Sequence, residues 1–238
     1  MVSWFRRRGA LSDFPRLRPR GEQTATLRVS FDELTPEPMS YLGQVAYLQL
    51  DQFESIARTV SMAPDLASKE RLSPAASAAL AKHQGVIAEI RRRGAEPDAV
   101  MAPFAEAIDR YQRATQGARW HEALLSNHLT AGLLDDFFIS LASGLPGDFG
   151  PRVASVLAAD SGREQIVEML GEAIAADPVL GSRLAMWGRR LVGDTLLLAR
   201  SGLSLSGDAA SDESRIEPVF TELIAAHTRR MDALGLTA

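Results

Sequence analysis

Cysteine is absent from this chain of 238 residues. That removes disulfides, thiolate metal sites, iron–sulfur clusters and cysteine nucleophiles together. The absence fits a reducing compartment, and a cytoplasmic location is expected. No apolar run approaches the ~20 residues that a membrane span needs. No apolar h-region follows the N-terminal arginines, so no secretory leader is expected. No Gly-x-Gly-x-x-Gly follows a strand, and neither a Walker loop nor a nucleophile elbow is present. Glu-x-x-His occurs nowhere. Helical bundles use that pair for metals because residues three apart share one helix face. Its absence weighs against a di-iron or di-manganese site.

What is present suits a globular protein. The chain is 46% hydrophobic and 24% charged, enough to bury a core without covalent staples. Its net charge of −4 is unevenly spread. Residues 1 to 20 hold Arg6, Arg7, Arg8, Arg16, Arg18 and Arg20 against Asp13 alone, a net +5, which leaves −9 on the rest. An arginine-rich arm on an acidic body can touch nucleic acid or anionic lipid. It also reads as a flexible, solubilising tail. We take 1–35 as a basic arm, with a short strand or extended run at Thr26 to Asp32, and 36–238 as one helical domain.

Helical spacing begins after Asp32. Thr35, followed by Pro36, Glu37 and Pro38, predicts a first helix running to about Val60, with Leu42, Val45, Phe53, Ile56 and Val60 on its apolar face. Ser73-Pro74 predicts the start of a second helix ending at Gly94, with Arg91, Arg92 and Arg93 complementing its dipole. A third is predicted over Pro97 to Gln116. A long helix spans about Ala118 to Ser143, where Trp120, Leu124, Asn127, Ala131, Leu134, Phe138 and Leu141 alternate steps of four and three, the pattern of a bundle seam. A short helix at 149 to 159 follows. Two more begin at Ser161-Gly162 and Asp177-Pro178, and a last one runs from Ile216 to about Leu234. Short joints between so many helices predict one all-α domain.

His121, His128 and Asp135 fall seven apart on the long helix. Neighbours on that line are roughly 10 Å apart along the axis, too far for one metal ion to bridge. These histidines, with His83 and His227, read as surface or boundary residues.

A resemblance adds to this. From about Tyr47 onward the chain resembles the actinobacterial ferritin-like proteins related to tRNA 2-methylthio-isopentenyl-adenosine hydroxylase. The matching segments include Met101-Ala-Pro-Phe104, Gly132-Leu-Leu-Asp-Asp-Phe137, Asp160-Ser-Gly162, Ala173-Ile-Ala-Ala-Asp-Pro178, Leu184-Ala-Met-Trp-Gly-Arg-Arg-Leu-Val-Gly193 and Ala226-His-Thr-Arg-Arg-Met-Asp-Ala-Leu-Gly235. The resemblance implies a ferritin-like four-helix core with additional helices. It also implies where iron ligands would stand. A glutamate position holds Gln49, a Glu-x-x-His pair holds Ala79 and Lys82, an acidic position holds Ala131, and a Glu/Asp-x-x-His pair holds Asp160 and Arg163. A shift of one residue on the second helix would put His83 in place of Lys82.

The residues point the same way. Gln49 falls on the Leu42–Val45–Phe53–Ile56 face, Lys82 on the Ala75–Ala79–Val86 face, and Ala131 in mid-seam. An ammonium or guanidinium offers a metal no lone pair, and a buried cation needs a partner. Asp160 is the expected partner of Lys82 and Arg163. The expectation is therefore a non-catalytic, metal-free ferritin-like bundle with no cofactor and no catalytic residue, serving interaction with an unknown protein partner or a scaffold role. Two alternatives stand beside it. One is a di-iron tRNA-modifying monooxygenase hydroxylating 2-methylthio-isopentenyl-adenosine, with the arm touching tRNA. The other is a small-ligand binder using the vacated site.

Overall fold

The computed structural model describes residue 31 and residues 33–238. The arm arginines and most of the Thr26 to Asp32 run lie outside the described residues. Eight α-helices follow in order, with no strand among the described residues: α1 Pro38–Met62, α2 Leu66–Arg92, α3 Pro97–Thr115, α4 Trp120–Leu141, α5 Phe149–Leu157, α6 Arg163–Ala176, α7 Pro178–Ser201 and α8 Ala209–Ala233. A 3-10 turn, Ala142–Gly144, extends α4.

Local chemistry sets several boundaries. Pro38 opens α1, where its missing N–H is no loss. The Glu37 carboxylate caps it, accepting from the N–H groups of Met39 (2.8 Å) and Ser40 (3.2 Å). Thr35, expected to start this helix, instead donates its hydroxyl to the carbonyls of Phe31 and Leu141. It ties the chain ahead of α1 to the end of α4.

Helix α2 begins earlier than the Ser73-Pro74 expectation. Asp65 caps it by accepting from Ser68 N–H at 2.7 Å, and Pro74 lies inside the helix. Proline removes one backbone bond there. Its ring is exposed, so the disturbance stays on the solvent side, while Leu72 and Ala75 on either side of it are buried. Helix α8 likewise starts at Ala209, earlier than the predicted Ile216. The arginines closing α2 also have a role beyond the helix dipole. Arg92 and Arg93 turn back onto Glu89, which is 1% exposed, and Arg152 of α5 reaches the same carboxylate at 3.1 Å. The Arg93 guanidinium then lies 3.8 Å over the Phe149 ring.

Helix α4 is the hub. It packs against α1, α5, α6, α7 and α8 and is buried on nearly every side, not along one seam. A helix apolar all round belongs in a core. The core comes as two apolar clusters. One gathers Tyr41, Val45, Val86, Ile90, Leu133 and Phe137. The other gathers Ile56, Leu72, Leu124, Leu129, Leu170 and Met231. Along α1, α2 and α4 alike, the chain passes from one cluster to the other through a short polar zone.

If Asp65 is the true start of α2, Asp65→Ala is expected to lower stability by about 1 kcal/mol. Ser73→Ala should change it far less. Urea unfolding of both variants checks this.

Candidate functional site

The polar zone is where the site lies. Gln49 of α1, Lys82 of α2 and Asp135 of α4 are each at most 7% exposed. Gln49 and Lys82 stand where α1 and α2 cross between the apolar clusters, and Asp135 stands just beyond the crossing on α4, which falls between Leu129 and Leu133. Gln49 follows Leu48 on α1, Lys82 lies between Ala79 and Val86 on α2, and Asp135 follows Leu133 and Leu134 on α4. The Asp135 carboxylate is the centre. Its Oδ1 accepts from Gln49 Nε2 at 2.9 Å. Its Oδ2 accepts from Lys82 Nζ at 2.8 Å and from Arg163 Nη2 at 3.1 Å. Arg163, at the start of α6, is the partly exposed member and also donates from Nε to Ser161 Oγ. One carboxylate on α4 thus holds two cations and an amide from three other helices.

A cavity of about 20 Å³ sits here, lined among others by Gln49, Ala79, Lys82, Ala131, Asp135 and Arg163. That is room for about one water. The structure brings together every predicted position except one. Asp160 is exposed, and its Oδ1 accepts from Gly162 N–H at 3.0 Å, capping the turn before α6. The carboxylate expected from Asp160 is supplied by Asp135. The physical reason is register. Asp160 lies in the turn ahead of α6, where its side chain folds back on its own backbone. Asp135 is one helical turn from Ala131 and shares its face. That four-residue spacing was the available signal. His83 lies apart from this cluster, with Nδ1 2.9 Å from the Ala46 carbonyl oxygen.

A second polar knot adjoins. Asn127 Oδ1 accepts from Ser55 Oγ at 2.7 Å, and Asn127 Nδ2 donates to Thr59 Oγ1 at 2.9 Å. A further cavity of about 20 Å³, lined in part by Asp51, Tyr111, Gln112 and Thr130, shares Gln49 and Asp135 with the first. Burial, with Glu54 and Asp109 nearby, pushes the Asp51 carboxyl up to about 7, against a smaller opposing effect of Arg58.

Two histidines are not at the surface as expected. His128 is 5% and His227 4% exposed. The expectation missed that α4 is covered on all sides. Burial, then Arg163 and Arg230, bring the His128 imidazole down to about 4. Burial, then Arg230, lower His227 also.

The donor set does not fit a di-iron centre. Such a centre needs several carboxylates and histidines around its cations. Among the lining residues of the Asp135 cavity, Asp135 is the sole carboxylate, and Lys82 and Arg163 bring positive charge where metal ions would stand. Among the described residues no three histidine, aspartate or glutamate side chains gather closely enough to hold a metal ion. Nor is any described helix long and apolar enough to cross a membrane.

Residues 37–209 match the family described as Ferritin-like domain, actinomycetes. No curated protein matches the chain.

Removing the central carboxylate strands two cations. Asp135→Ala is expected to destabilise the fold by about 3–5 kcal/mol, whereas Asp160→Ala removes one exposed cap and should cost about 1 kcal/mol or less. Thermal unfolding of the pair checks this.

The pH response of stability follows from His128 and Asp51. His128 is depressed when folded, so the unfolded chain binds more protons between about pH 4 and 6.5, and stability rises with pH there. Asp51 is raised when folded, so the folded chain binds more protons between about pH 4 and 7, and stability falls with pH there. The two oppose each other. Relative to the unsubstituted chain, Asp51→Asn should make the melting temperature rise more steeply from pH 4 to 6.5, and His128→Gln less steeply. Scanning calorimetry across that range checks both signs.

Proposed function

The chain belongs to the ferritin-like domain family of actinomycetes, and on that premise we propose that it is a metal-free, non-catalytic member acting through interaction or scaffolding. The observation that carries this reading is the Asp135 cluster. In a di-iron bundle, carboxylates surround cations that the metal supplies. Here the cations are covalent parts of the chain. The Lys82 ammonium and the Arg163 guanidinium neutralise Asp135, and Gln49 fills its remaining oxygen. Both oxygens of the Asp135 carboxylate are engaged by donors that the chain itself supplies.

The cavity volume favours this reading over small-ligand binding in the vacated site. Space for about one water leaves none for a metabolite unless the helices separate. The likeness to tRNA 2-methylthio-isopentenyl-adenosine hydroxylases supports common descent. It does not restore the ligands replaced by Gln49, Ala79, Lys82, Ala131 and Arg163.

Protein produced with excess iron is expected to contain far less than stoichiometric iron and to lack ferric absorption. Stoichiometric iron with a near-ultraviolet ferric band would overturn this reading and bring the di-iron tRNA hydroxylase alternative forward.

A further inference from the structure

A groove of about 290 Å³ lies on the other side of α4 from the Asp51 cavity, bounded by α6 and α8. It is lined by His128, Asp136, Val167, Arg229 and Arg230, with Ala226 and Ala233 completing its apolar part. Three observations converge on it. First, His128 is 95% covered, yet its Nδ1 has no hydrogen-bond partner among the described residues. A buried polar atom left unpaired is rare, and it calls for an explanation. Second, α4 carries a glycine one turn on from His128. A Cβ at Gly132 would stand 2.5 Å from Arg230 Nε and 3.2 Å from Arg163 Nη1. The missing side chain lets two guanidinium groups, from α6 and α8, approach one spot on α4.

Third, these guanidiniums keep donors to spare. Arg230 uses Nη2 for the Gly132 carbonyl (3.1 Å) and the Asp136 carboxylate (2.5 Å). Arg163 uses Nε and Nη2. Arg230 Nε and Nη1 and Arg163 Nη1 have no partner among the described residues. Arg229 meets only the exposed Glu222, through Nη2 at 2.8 Å. Two guanidiniums near one glycine, beside an imidazole kept neutral first by burial and then by these cations, leave unfilled donors, with the Asp136 carboxylate offsetting one of the charges.

We propose that this groove binds the phosphate group of a small organic phosphate. Arg229, Arg230 and His128 act as its donors, and Val167, Ala226 and Ala233 lie under its organic part. Two guanidiniums and an imidazole suit a tetrahedral dianion with three free oxygens better than a planar carboxylate with two. Guanidinium forks are the side chains that hold such oxygens in pairs. The apolar flank explains why the occupant is an ester and not the free ion.

The test uses the full chain labelled with ¹⁵N-histidine, titrated with inorganic phosphate and with phenyl phosphate while the imidazole resonances are followed. Both are expected to move the His128 resonances, and the ester should bind about tenfold more tightly through its buried ring. Arg229→Gln, which removes an exposed side chain and leaves the fold alone, should weaken both by about tenfold. Absence of any His128 shift with either probe would overturn the site. Equal affinity for the two probes would overturn the ester assignment. Unchanged affinity in Arg229→Gln would overturn the donor set.

Discussion

The carboxylate of Asp135 is the constraint around which this bundle is arranged. It is almost fully covered, and a bare charge in that position would be prohibitive. Three donors from three other helices make it tolerable. The dependence is mutual. Lys82 is as deeply buried as Asp135 and has no other ion-pair partner among the described residues, so neither tolerates loss of the other. Replacing such a pair with apolar residues is often neutral, whereas removing one half is not. The arrangement is therefore fragile to single substitutions without being a large net source of stability.

The same solution recurs at the far end of α2. Glu89 is buried among Arg92, Arg93 and Arg152, and the surplus of cations is met partly by the Phe149 ring. In both places one buried carboxylate gathers more than one cation, and the extra positive charge lies toward solvent. Arg163 is partly exposed in the first, and Arg92, Arg93 and Arg152 in the second. Arg163 joins α6 to α4, and Arg152 joins α5 to α2. The charge clusters thus knit the smaller helices onto the bundle beside their buried apolar residues.

Much of this was legible in the sequence. The three/four spacing of Leu124, Leu134, Phe138 and Leu141 gave the long helix, and the inward faces of α1 and α2 placed Gln49 and Lys82 correctly. Three things were hidden. The Asp65 cap was overlooked because Ser73-Pro74 is the stronger local signal, and a proline on the solvent side of a helix is tolerated. His128 and His227 looked like surface residues because sequence periodicity cannot show that a helix is covered from several directions. Asp135 was seen only as part of a line of residues seven apart. Its place opposite Lys82 depends on how α2 and α4 are staggered, and that is set by packing across fifty-three residues of chain.

The polar zone between the two apolar clusters has a consequence for alignment. Oily surfaces are nearly indifferent to a slide of one helix along another, because one methyl group substitutes for the next. Charges are not indifferent. A slip by one helical turn, about 5.4 Å, would pull Lys82 away from Asp135 and press each into hydrocarbon. The midline cluster therefore acts as a vernier mark: α1, α2, α4 and α6 have one reading at which all of its lines coincide.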